Sequence, residues 1–186
     1  MSLRDFELID CNIYWQELNK IATLNYYEWY DWYAEEKYKD LYPNSESLAQ
    51  SWHTAGNGND PFQILDIIVC INIDNLELLG MCTLEYDELE PNCQNIDTSK
   101  IYLTNLLIIP SYRSQGIAKL IIEHTRNWVM SERPELDKLY LHCQKKLIQY
   151  YLKQGWILNN DTISDEELNN DTISDEEWIE MYYPIN

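Results

Sequence analysis

The stretch "NLLIIPSYRSQGIAKLII", Asn105 to Ile122, constrains the chain more than any other, because two periodicities meet in it. Up to Ile109 it is a continuous apolar run closed by Pro110, the pattern of a buried strand. From Ile117 onward Ile117, Leu120, Ile121, His124 and Trp128 recur at helical spacing and define one face. The loop between is polar and contains one glycine. Joining strand to helix in this way aims free backbone N–H groups, with the positive end of the helix dipole behind them, at one point in space. A pyrophosphate suits that point. Gly116 lets a backbone approach closely, Ala118 keeps the first turn slim, and Arg113 adds a charged donor. The same strand, turn and helix also make a purely structural unit.

The remaining elements follow from period and punctuation. "FELIDC" alternates as a first strand, and "NIYWQELNKIATLNYYEWYDWYAEEKY" carries Ile13, Leu18, Ile21, Ala22 and Trp29 at helical spacing, as one long helix or two broken ones. Tyr26, Tyr27, Trp29, Tyr30, Trp32 and Tyr33 are too many aromatics for one buried stripe, so some line a pocket or partner surface, or are ordinary surface tyrosines. Ser45 is the N-cap expected for a short helix, and "AGNGNDP" is a loop. "FQILDIIVCIN", "ELLGMCTLEYDE" and "KIYLTNLLIIP" read as strands, the first two joined by the turn "IDNL". After the long helix come the strand "KLYLHC", a helix "KKLIQYYLKQG" with Gly155 as its C-cap, and the strands "WIL" and "EEWIEMYYPI". This order predicts a mixed sheet with helices on its faces.

At 186 residues the chain fits one domain with a sizeable core. No apolar run approaches the roughly 18 residues of a membrane span, and the N-terminus lacks a signal-peptide pattern, so no membrane partner and a cytoplasmic location are expected. The five cysteines form no CxxC pair, which argues against a zinc site or disulfide framework; no metal is expected. A formal charge of -19 disfavours nucleic acid and favours cationic ligands.

In "RSQGIA", Arg113 to Ala118 resemble the acetyl-CoA signature of the GNAT superfamily of N-acetyltransferases: Arg or Gln, two residues, Gly, one residue, Gly or Ala. A second likeness is "YYLKQGWI", similar to the family's aromatic, Tyr, three residues, Gly, aromatic pattern, with Tyr150, Tyr151, Gly155 and Trp156 in those positions. The two motifs stand in the family's order with "KLYLHC" between them, and the resemblance runs from about Asp5 to Tyr183. It implies an α/β (α+β) fold: a mixed, mostly antiparallel sheet of about seven strands, flanked by helices and splayed between the fourth and fifth, as one domain over 1–186.

The resemblance further implies direct transfer of an acetyl group from acetyl-CoA to a primary amine of a small molecule or peptide in a ternary complex. Leu107 and Ile108 would offer backbone contacts beside the thioester. Arg113, Ser114, Gln115, Gly116, Ile117, Ala118 and Lys119 would hold the pyrophosphate, and Gln144 would touch the cofactor. Tyr151 matches the tyrosine that protonates the departing thiolate, a task suited to a phenol. For the base, "TLEYDE" offers Glu85 and Asp87 on one strand face, and His142 is a further candidate. Five of the 13 basic residues, Arg113, Lys119, Arg126, Lys145 and Lys146, fall in this cofactor half; the acidic excess elsewhere suits a cationic amine acceptor. A monomer or homodimer is expected. An acyl-CoA-binding protein without turnover, and an interaction module, are the alternatives.

The decamer "LNNDTISDEE" occurs twice in succession over 158–177. It lacks the alternating Asp ligands and central Gly of a calcium loop. Ser164 and Ser174 precede acidic residues as kinase acceptors do, a short and common pattern. The family frame places the repeat between the sixth and seventh strands as an enlarged loop, a cheap insertion because closure entropy grows slowly with length.

Overall fold

The computed structural model describes residues 6–8, 15–35, 38–55, 64–72, 75, 77–86, 98–159 and 178–185. Asp87, both decamer serines and the repeat beyond Asn159 lie outside them. Seven strands make one sheet: β1 (Phe6–Leu8), β2 (Ile64–Ile71), β3 (Leu78–Glu85), β4 (Tyr102–Ile108), β5 (Lys138–Gln144), β6 (Ile157–Leu158) and β7 (Trp178–Pro184), in the order β1-β2-β3-β4-β5-β7-β6. All neighbours are antiparallel except β4 and β5, which run parallel. The predicted element order and mixed sheet are therefore observed. No helix among the described residues is long and apolar enough to cross a membrane.

Strand alternation sorts the side chains onto two faces. On one face Ile68, Cys70, Leu79, Cys82, Leu84, Ile101, Leu103, Leu139, Leu141, Cys143, Ile179 and Met181 join the buried stripe of α4 (Ile117–Glu132) and the short α5 (Ile148–Leu152). On the other, Ile67, Val69, Ile71, Leu78, Met81 and Leu107 pack beneath α1 (Trp15–Glu28), α2 (Tyr30–Tyr33) and α3 (Ser45–Ala55). The N-terminal helical pattern thus breaks after Glu28 rather than running through.

Two expectations need correction. Ser45 does not cap α3: Asn44 does, its Oδ1 accepting the Ser47 N–H at 2.9 Å while Ser47 Oγ accepts the Asn44 N–H at 3.3 Å. This reciprocal pair satisfies two N–H groups at the helix start, which a single Ser45 cap would not. On α4 the fully buried stripe is Ile117, Ile121, Ile122, Thr125 and Val129, with Leu120, His124 and Trp128 only half-buried at its flank. Thr125 is apolar enough for the core because its hydroxyl donates back to the Ile121 carbonyl at 2.8 Å.

Gly80 sets how close β4 and α4 come to β3. A Cβ there would stand 2.7 Å from both the Ile108 side chain and the Leu107 carbonyl, and 3.3 Å from Ile121.

Candidate active site

Parallel β4 and β5 touch and then part. Tyr102 pairs with Tyr140, the Tyr140 N–H donates to the Ile101 carbonyl at 2.9 Å, and no further residue pair joins the strands. The cause lies in β4. Between Met81↔Leu107 and Thr83↔Thr104 that strand holds one residue more than β3, and Asn105 takes a left-handed φ of 50° to absorb it. Such a bulge bends its strand and raises the local twist. Asparagine tolerates the conformation better than any branched residue.

Beyond the split, strand alternation decides which backbone groups face it. The Ile109 N–H donates to the Leu79 carbonyl at 3.0 Å, toward β3. Leu107 faces β3 likewise, its carbonyl lying against Gly80. Ile108, between them, turns its N–H and C=O to the open side. Its carbonyl already accepts the Arg113 Nε–H at 3.1 Å.

At the end of β4, Pro110 starts a single tight turn, Pro110–Tyr112, and the chain passes through Arg113 to Gly116 into α4. Ser114 (φ 63°) and Gly116 (φ 84°) are both left-handed, a backbone curl that turns successive N–H groups inward. No side chain caps α4, and a Cβ on Gly116 would meet no atom within 4 Å. The loop is thus exposed and open, with Ile117 anchoring it in the core and Ala118 half-buried. Arg113 is placed differently from the expected phosphate donor: besides Ile108 it bonds Glu28 Oε2 at the end of α1, at 3.2 Å. Gln115 donates to the Ser111 carbonyl at 3.2 Å, and Lys119 pairs with Glu123 at 3.7 Å on the exposed helix face. Gln144 ends β5, half-buried and opposite Trp178.

Tyr151 lies in the α4/α5 core, and its placement has a backbone cause. Gly155 (φ 89°) donates its N–H to Leu152 and Trp156 donates to Tyr151, at 3.0 and 3.2 Å, which is a Schellman cap on α5. The apolar contact that accompanies such a cap is the Tyr151–Trp156 ring pair, edge-on at 5.8 Å. The Tyr, three residues, Gly, aromatic spacing is therefore the spacing of that cap. Burial, reinforced by Cys143, Tyr150 and Cys82, pushes the Tyr151 hydroxyl well above the usual phenol pKa, so the proton stays on it. Tyr150 sets its ring edge-on to that of Tyr151 at 5.2 Å and is 40% exposed.

Glu85 stands on the opposite face, buried at the end of β3. Thr83 Oγ1, Thr104 Oγ1 and Asn105 Nδ2 all donate to its Oε1, at 2.8, 2.7 and 3.3 Å. Asn25 of α1 reaches Asn105 at 3.5 Å, and the Tyr33 hydroxyl donates to Asn25 at 2.8 Å. Burial first and Glu85 second raise the Tyr33 pKa, so that proton also stays in place. This network was missed in the sequence apart from Glu85 itself. Its signal was there: Thr83 and Glu85 alternate within apolar "MCTLEY", and Asn105 interrupts apolar "YLTNLLI". His142 of β5 stacks on Tyr102 at 5.3 Å, with Nε2 3.9 Å from Glu180 Oε1. Of the aromatic cluster, Tyr26 and Tyr33 are buried and stacked at 5.2 Å, Trp29 packs on Trp178, and Tyr27 and Tyr30 are exposed.

The fold that carries this split and loop has counterparts in solved structures. The chain superposes on the PaiA N-acetyltransferase of Thermoplasma acidophilum in complex with coenzyme A, over 99% of each chain at 15% identity and a TM-score of 0.59. A chimera of the Vibrio cholerae spermidine N-acetyltransferase SpeG and hSSAT matches over 99% of this chain and 97% of its own, at 14% identity and a TM-score of 0.61. Aminoglycoside 6'-acetyltransferase type Ii matches over 98% of each chain at 17% identity and a TM-score of 0.58. At these identities the likeness is one of fold. A search of curated proteins found no match. The family model for the Acetyltransferase (GNAT) family matches residues 24–156, most of the chain and both sequence motifs. The chain belongs to the acetyltransferase (GNAT) family and is an acyltransferase.

Proposed function

We propose that this enzyme carries an acetyl group from acetyl-CoA directly to a primary amine of a small molecule or peptide, with both substrates bound in the split between β4 and β5. The observation that carries the reading is the split itself, opened by the Asn105 bulge and headed by the left-handed Ser114 and Gly116. Coenzyme A in the complex of the Thermoplasma acidophilum protein supports the donor. The names of the spermidine and aminoglycoside acetyltransferases support a cationic amine acceptor.

In this reading the backbone N–H groups from Ser114 to Lys119 receive the pyrophosphate, with the α4 dipole adding to them, while the Arg113 N–H is already given to the Pro110 carbonyl. The pantetheine arm lies along the open edge of β4, where Ile108 presents its N–H, and Gln144 meets it from β5. Leu107 supports that edge from the β3 side. The amine approaches from the α1 face. Its nitrogen bonds to the acetyl carbon, the C–S bond breaks, the sulfur takes the proton of Tyr151, and the proton shed by the amine passes to Glu85, directly or through water. Acid and base thus act from opposite faces of one sheet. Arg113 serves by holding the loop to β4 and α1, and swings to phosphate only by giving up Glu28.

The reading also makes residues 1–186 one domain, with the doubled decamer as an enlarged connection between β6 and β7. The test is acetyl-CoA consumption against a panel of amines, diamines and peptide N-termini. Turnover with a cationic amine supports the reading. Coenzyme A binding without turnover on any amine would reduce the chain to an acyl-CoA-binding protein, and no binding would overturn it.

A further inference from the structure

Behind the split, on the acceptor face, one carboxylate is built into the sheet. Glu180 of β7 is buried, and its Oε1 accepts the Tyr102 hydroxyl at 2.7 Å. Its other oxygen accepts Asn159, a residue of the first decamer copy. Burial would raise this carboxyl's pKa, yet the Tyr102 and Asn159 bonds and the Lys100 and His142 charges hold it below the usual carboxylate value. The Lys100 ammonium stands 3.5 Å from Glu180 Oε1, 3.4 Å from the Tyr102 oxygen and 4.8 Å from the centre of the Tyr140 ring. A carboxylate beside the faces of two tyrosines is a receptor for an alkylammonium ion, and here the chain's own lysine fills it.

Lys100 is an interchangeable occupant in two respects. Its side chain is 35% exposed while Glu180 is 6% exposed, and it precedes β4, so its withdrawal breaks no strand pair. The place also matters. Tyr102 and Tyr140 are the last paired residues before β4 and β5 part, and Thr104, which holds Glu85, is two residues on, about 7 Å along a strand.

Building on the acetyltransferase reading, we propose that Glu180, Tyr102 and Tyr140 form a subsite for a second, non-reacting ammonium of the acceptor, which displaces Lys100. The acceptor class is then a diamine or polyamine whose nitrogens are a short spacer apart, about 5 to 8 Å on this strand geometry. Among the described residues Lys138, over the ring of the neighbouring Tyr182, is a further cation of this face, joined by His142 beside Glu180 when that imidazole is protonated, and both disfavour a branched acceptor with a third charge there.

The test is calorimetric binding of 1,4-diaminobutane and of n-butylamine to the full chain, with and without coenzyme A. The diamine is expected to bind about tenfold more tightly than the monoamine, as one added charge-assisted contact implies. Glu180→Gln should remove that advantage, bringing the diamine-to-monoamine affinity ratio close to one. Lys100→Met should tighten the diamine severalfold by removing the competitor. An unchanged diamine-to-monoamine ratio in Glu180→Gln overturns the subsite. Should that variant fail to fold, no gain in Lys100→Met does so on its own, making Lys100 a plain counter-ion. Loss of coenzyme A binding alone would instead strike the pyrophosphate loop, because the amine measurement is also made without the cofactor.

Discussion

The two faces of the sheet are built from different materials. The α4/α5 face is an apolar core whose distinctive features are set by backbone shape: the curl at Ser114 and Gly116, and the Schellman cap that fixes Tyr151. The α1 face from β3 to β7 is a run of buried polar groups, with Glu85, Thr83, Thr104 and Asn105 joined to Asn25 and Tyr33, and Glu180 joined to Tyr102. A ligand gripped through backbone N–H groups needs glycine and a fixed spacing. A ligand gripped through side chains needs particular residues on strands distant in sequence.

The sharpest way to break this comparison is at the acid. Tyr151→Phe is expected to lower kcat about 100-fold while leaving the acetyl-CoA dissociation constant within twofold, because only the proton is removed. Single-turnover kinetics with an accepted amine read both; equal kcat would take Tyr151 out of the chemistry. Since its pKa is raised, the protonated, competent form persists above the ordinary phenol value of about 10. The kcat profile should therefore show no alkaline loss attributable to Tyr151 up to that pH, and a fall centred nearer 9 would contradict the assignment.

Packing and polar bonding then separate the faces by stability. Gly80→Ala drives a methyl into Ile108 and the Leu107 carbonyl and should cost about 2 kcal/mol by urea denaturation. Asn105→Ala keeps the core but removes the bonds to Thr83 and Glu85 and leaves a left-handed alanine, for about 1.5 kcal/mol. A larger loss in Asn105→Ala than in Gly80→Ala would mean that the polar face dominates the fold. The smallest effect is reserved for the repeat. Deleting residues 160–169 leaves Leu158 and Asn159 in place and the second copy to reach Trp178. Loop entropy alone favours the shorter chain by about 0.7 kcal/mol. A lost fold or activity would show that the extra decamer has a role.

The contrast between the faces also explains what could be read beforehand. The strand order, the curled loop at the head of α4 and the cap that fixes Tyr151 were legible because each is local: a period, a loop glycine, or a helix cap within six residues. The Asn44 cap was missed because Asn44 and Ser45 both suit an N-cap, and only the reciprocal bond with Ser47 decides between them. The pairing of Arg113 with Glu28 joins residues remote in the chain, as do the links from Glu85 to Thr104 and from Lys100 to Glu180. Nothing local announces them. A sequence shows that a strand interior carries a polar residue; which partner meets it depends on sheet order and register.

The division of labour is tested most directly by the acetyl-CoA dissociation constants of Gly116→Val and Glu85→Gln, measured side by side by calorimetry. Valine at 116 puts a side chain where the curled loop is open and strains a left-handed backbone, so binding should weaken at least tenfold. Glutamine at 85 lies on the other face and should bind the cofactor as the parent does while turnover falls. Intact binding in Gly116→Val, or equal weakening in Glu85→Gln, would contradict the assignment of cofactor and acceptor to opposite faces of the split.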